Sequence, residues 1–150
     1  MSSTEERLLN DQKVAFIHQK AAGRNKAALE YLQFLSQAAR IVDDVFDEPA
    51  SVPNKDLLVL IELLFVRIPS NVFYLQHREQ LFTHHLAMWN AWEASNILDN
   101  GDSTDRIYAH VLRDYINEVL PLVALLAEGW DTMKEVNGLI RALFKKHLGE

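Results

Sequence analysis

Residues 39–49 read ARIVDDVFDEP, and four of them, Asp43, Asp44, Asp47 and Glu48, are carboxylates packed ahead of Pro49. Residues three and four apart on a helix are neighbours, so Asp43 and Asp44 both lie beside Asp47. Hard oxygen ligands at that spacing suit a divalent cation of the Mg2+ type. Such an ion takes one or two carboxylates and keeps water or phosphate oxygens in its other positions. It would also offset a local mismatch, because a helix C-terminus is the negative pole of its dipole and each exposed carboxylate there costs roughly 0.3 to 1 kcal/mol. The same acids are equally a solvated face. Arg40 precedes Asp43 by three residues and Asp44 by four, and Lys55 or Arg106 are cations that the fold can bring near. A basic protein partner is the third way to neutralise them.

The segment THHLAMWNAWEASN, residues 83–96, is the other place where chemistry concentrates. Phe82, Leu86, Trp89, Glu93 and Asn96 or Ile97 form one helical stripe, which puts Glu93 among large apolar neighbours. An ionised carboxylate there needs a partner or a raised pKa. Glu93 is therefore a candidate fourth ligand to a metal held by Asp43, Asp44 and Asp47, or an acid–base group. The alternative is a boundary glutamate paired with arginine or with an indole N–H. Trp89 and Trp92 fit core or interface anchors better than cofactor stackers. His84 and His85 are adjacent and point about 100° apart, so they cannot form the i, i+4 pair of a helical metal site. His110 and His147 stand alone, and no HxxxH or HExxH pattern occurs, which argues against zinc-hydrolase and di-iron chemistry. Neither a phosphate-cradling glycine loop nor a nucleophile elbow is present.

The run AARIVDDVFDE resembles the first aspartate-rich motif, DDxxD, of isoprenoid synthases, the family that includes prenyl-diphosphate, squalene and phytoene synthases. The resemblance implies a helical protein in which Asp43, Asp44 and Asp47 bind Mg2+ and through it grip a substrate diphosphate. It covers about a dozen residues. The later NILDNGDSTDRIY is similar to the second acidic motif, with Asp99, Asp102 and Asp105 three apart where the family spaces its aspartates by four.

Helices must position these groups. Glycine and proline number 5 and 4 and fall between helical patterns. Ser3 or Thr4 caps a first segment, and Ala28, Leu32, Leu35, Ala39, Val42 and Phe46 step by four and three as a bundle seam, so the pattern predicts helix from about 4 to 47, loosened at Gly23. Asn54 is placed to cap a helix that is apolar nearly all round from Leu57 to Ile68, which predicts a central helix ended by Pro69. Ser70 or Asn71 then caps a run to about Leu98, and Ser103 or Thr104 caps the next. Pro121 predicts a kink near Asn117. Gly129 closes that helix, and Asp131 opens a last one. The expected architecture is all-α, a single compact bundle of five to six helices spanning residues 1–150 as one domain.

A chain of 150 residues buries roughly 70% of its unfolded surface, enough for a conventional core. It has no cysteine, which excludes disulfides, cysteine zinc sites, iron–sulfur clusters and thiol catalysis. The N-terminus MSSTEERLLNDQK is charged where a secretory signal needs an apolar run, and no apolar stretch reaches the ~18 residues of a membrane span. A soluble, cytoplasmic protein is expected. Net charge is −6, and no basic block tracks phosphates, so neither nucleic acid nor membrane is an expected partner. The short basic FKKHLGE end complements a helix C-terminus. With no complete catalytic constellation, the favoured expectation is a small helical binding or regulatory protein, of the sort carried by phages and mobile elements, that meets a protein partner or self-associates. The alternative is a Mg2+-dependent diphosphate binder using Asp43, Asp44 and Asp47.

Overall fold

Gly23 divides what the hydrophobic pattern reads as one long helix. The first helix, α1 (Ser3–Ala22), ends there because Gly23 takes a left-handed φ of +59°. Its N–H still reaches Gln19 O at 2.9 Å. A Cβ on Gly23 would fall onto the Glu128 carboxylate, so the turn has room only for glycine. Two residues later Asn25 starts α2 (Lys26–Asp47) by accepting from Ala28 N–H at 3.0 Å. The computed structural model describes residues 3–144, with Phe144 described by its backbone alone. The FKKHLGE tail beyond Phe144, with Lys145, Lys146 and His147, lies outside the described residues.

After α2 come α3 (Asn54–Glu62), α4 (Ile68–Ser70), α5 (Val72–Gln76), α6 (Arg78–Leu98), α7 (Ser103–Arg113), α8 (Val119–Ala127) and α9 (Trp130–Phe144). A π-helical turn, Leu63–Arg67, makes α3 and α4 one rod, and a 3₁₀ turn, Asp114–Glu118, does the same for α7 and α8. The described residues thus form seven helical rods and no strand, an all-α fold with one or two rods more than the pattern predicts. The chain groups into two compact units, where the sequence points to one bundle. One unit is the segment up to Gly23 with everything from Glu79 onward, and the other is Arg24–Arg78.

The Arg24–Arg78 unit is a helical hairpin. Tyr31, Leu32 and Leu35 of α2 are buried against Leu63, Ile68, Phe73 and Tyr74 on the returning arm, and the Tyr31 ring sits 6.1 Å from Phe73 and 6.2 Å from Tyr74. Asn71 clamps the open end. Its carbonyl oxygen accepts from Tyr74 N–H at 2.9 Å, and its amide donates to Ala27 O at 3.0 Å and to Glu30 Oε1 at 3.3 Å. Pro69 stands next to the end of the returning helix, whose last residue is Ser70. The proline has no N–H for the carbonyl four residues back, and the turn before it widens, with Ile68 N–H bonding Leu63 O five residues earlier. The wider turn swings Arg67 round to Glu62, 3.3 Å away. The α3 rod is not central. Only Leu63 and Ile68 of its apolar run are buried, while Leu58, Ile61, Leu64, Phe65 and Val66 are exposed, because a two-helix hairpin covers one face of each rod. Asn54 is the first helical residue and not a cap, a position taken by Pro53.

In the other unit, α1, α8 and α9 share the core. The α8 sequence VLPLVALLA buries Val119, Leu120, Val123 and Ala124. Facing them are Ile17, Ala21 and Ala22 from α1 and Val136, Ile140 and Leu143 from α9. Burying each large aliphatic side chain contributes about 1.5 to 3 kcal/mol. Lys20 and Glu135 bridge α1 and α9 at 2.8 Å, and Arg141 ties α9 to Asp114 and Glu118. Asp114–Glu118 is also where Pro121 was expected to distort the chain: the missing proline donor leaves Asn117 O without its α-helical bond, and the backbone tightens to 3₁₀ geometry. Asp102, not Ser103 or Thr104, caps α7, and Asp105 completes a capping box with it.

Candidate functional site

Asp43, Asp44, Asp47 and Glu48 are all exposed at the end of α2, where the last turn holds no basic residue. Glu48 N–H closes the helix onto Asp44 O at 2.9 Å. Arg40 and Asp43 both have interaction partners. Asp43 and Asp47 share a face, and Asp44, about 100° from Asp43, flanks Asp47 on its other side. Glu93 belongs to the other unit, on α6, and is exposed. Among the described residues no group of three or more His, Asp or Glu side chains is arranged to hold a metal ion. Of the expected ligands, Asp43, Asp44 and Asp47 belong to one unit and Glu93 to the other, and each is exposed. The three later aspartates have other work: Asp99 pairs with Arg113 at 3.0 Å, and Asp102 and Asp105 form the α7 cap.

His18 and His84 are the buried histidines among the described residues. His84 is 9% exposed, and its ring stacks on Tyr115, with centroids 5.5 Å apart and planes 18° apart. Its Nε2 is buried without a hydrogen-bond partner. Burial lowers its pKa, against a smaller opposing effect of a backbone hydrogen bond at Ile116. Burial, and then the neighbouring His84, hold His85 down to about 4, and burial alone holds His18 on α1 at about 4. His110 is exposed.

The α6 helix carries two seams with helical spacing, on nearly opposite faces. The inward seam is Leu81, His84, Met88, Ala91 and Ser95, in which all but Met88 are buried. The outward seam is Phe82, Leu86, Trp89, Glu93 and Ile97, and its apolar members are 51%, 51%, 55% and 73% exposed in that order. The larger, more apolar seam therefore faces out. Sequence reasoning identified this stripe, with Glu93 among large apolar neighbours or as a boundary glutamate. Glu93 is exposed, one turn from Trp89, and Trp89 leans on Trp92 with ring centroids 5.5 Å apart. The 4, 3, 4, 4 spacing is the signature of a helix that packs against another helix, yet its apolar members are exposed. The exposed flank of the α3 rod is a second such face, in the other unit.

Compared with known proteins, the chain matches no family model, no curated protein and no solved structure. Among the described residues no helix is long and apolar enough to cross a membrane.

Proposed function

We propose that this chain is a protein-binding module whose docking site is the outward face of α6. The observation that carries this reading is the exposed row Phe82, Leu86, Trp89 and Ile97. Full burial of a large apolar side chain contributes about 1.5 to 3 kcal/mol, and these four, each half or more exposed on one stripe, forgo half or more of it. Contiguous exposed apolar patches of this kind mark interaction sites in monomeric proteins, and tryptophan is prominent among the residues that dominate interface energies. The spacing fits the helix-in-groove mode, in which anchors at three- and four-residue intervals are read from one helix by another.

Photocross-linking in the native cell tests it. A benzophenone amino acid at position 82 or 97 should give one discrete adduct. The same group at Gln80, exposed on a different side of α6, should not, and Trp89→Glu should abolish the adduct. Equal labelling from positions 80, 82 and 97 refutes a specific face. Because all four apolar positions are exposed, loss of binding in these variants is separable from unfolding by circular dichroism.

A further inference from the structure

We infer that the partner presents an amphipathic helix with an arginine at the level of Trp89 and Glu93. This rests on α6 being the docking face and adds the chemistry of what docks. Glu93 lies inside the apolar row, four residues beyond Trp89, so the carboxylate and the indole stand one turn apart on the same face. No Lys or Arg follows Arg78 on α6, so neither position three or four away from Glu93 on either side supplies a cation: Trp89, Asn90, Asn96 and Ile97 occupy them. Among the described residues no salt bridge includes Glu93.

Covering this row with a wholly apolar helix would strand an ionised carboxylate in a dry interface, which costs several kcal/mol. The face therefore selects a partner that brings a positive charge to one point. Arginine fits better than lysine, because its planar guanidinium can lie over the Trp89 indole while its fork donates two parallel hydrogen bonds to Glu93. Trp92, in ring contact with Trp89, braces that platform from the side. A second copy docked α6 to α6 is disfavoured by the same arithmetic of charge. It would bring a second Glu93 and no cation, in a chain of net charge −6.

The experiment titrates the full chain with designed helical peptides followed by fluorescence anisotropy. Each has leucines at alternating four- and three-residue spacing, and they differ only in a central Arg, Lys, Leu or Glu. The Arg peptide is expected to bind at least tenfold more tightly than the Glu or Leu peptide and measurably more tightly than the Lys peptide. Glu93→Arg should invert the preference between the Arg and Glu peptides, and Glu93→Gln should erase the advantage of Arg over Leu. Equal binding of all four peptides, lost with Trp89→Glu, overturns the arginine while leaving the docking face intact. Binding of none overturns both. Concentration-dependent dimerisation abolished by Leu86→Glu, in place of peptide binding, makes the occupant a second copy and also overturns the inference. Circular dichroism of each variant confirms that α6 is folded.

Discussion

Acidification should loosen the α1–α8–α9 core through His18, and the size of the effect follows from its burial. His18 is 9% exposed, and burial alone lowers its pKa from 6.5 to about 4. In the unfolded chain the same imidazole takes its proton near pH 6.5. The depressed folded value means that the stabilising contribution is complete above that pH and is lost as pH falls from about 6.5 toward 4. At about pH 5 the unfolded form is almost fully protonated and the folded form is not, which amounts to a loss of about 2 kcal/mol from this residue. His85, also held at about 4, adds to the loss in the same direction. Urea unfolding of the wild type and of His18→Leu at about pH 7.5 and about pH 5 isolates the term. Leucine keeps an apolar side chain of similar bulk beside Ile17 and removes the titration. The stability difference between the two proteins should then shift by about 2 kcal/mol in favour of the leucine variant on going to the lower pH. Parallel losses in both proteins would refute the argument, because His18 would then be as free to protonate in the folded state as in the unfolded one.

Three further perturbations probe other parts of the molecule. Gly23→Ala forces a left-handed φ on a Cβ that meets the Glu128 carboxylate, and should cost more than about 1 kcal/mol and lower Tm; pairing it with Glu128→Ala should recover only the clash. Asn71→Ala removes the α5 cap together with the amide's bonds to Ala27 O and Glu30, for a loss of about 1 to 3 kcal/mol read by chemical denaturation. Asp47→Asn relieves a carboxylate at the negative pole of α2 and should stabilise by about 0.3 to 1 kcal/mol at low salt. Millimolar Mg2+ should leave the wild-type Tm unchanged, since an ion bound only by the folded chain at a hundred times its Kd would add about 2.7 kcal/mol.

Much of the helical punctuation was legible because it depends on local chemistry. Asn71 caps where its side chain can reach Tyr74 N–H, and Pro121 distorts the backbone at Asn117 because a proline amide cannot donate. Pro69 marks the end of its helix to within one residue, while the widened turn before it, which accommodates the missing donor, was not legible from spacing. Gly23 was flagged as loose but not as a break, although the left-handed glycine and the Asn25 cap that make the break are both local. The acidic run was visible as a cluster, but convergence on an ion depends on side-chain directions that spacing alone does not fix.

The α6 helix shows most clearly where periodicity stops being informative. Both of its seams have helical spacing, and a hydrophobic ranking sends Phe82, Leu86 and Trp89 inward and leaves Ala91 and Ser95 outside. The fold does the reverse. Ser95 satisfies its hydroxyl on Trp92 O within the helix, so that seam is buried with His84 Nε2 as the unpaired side-chain atom among the described residues. The outward seam has the opposite character, with large apolar anchors arranged around one carboxylate. Packing that seam into this chain's own core would bury Glu93 with no Lys or Arg one turn away on α6 to meet it. A carboxylate at that point is compatible with burial only when the covering surface supplies the charge, and that requirement separates an interface face from a core face on the same helix.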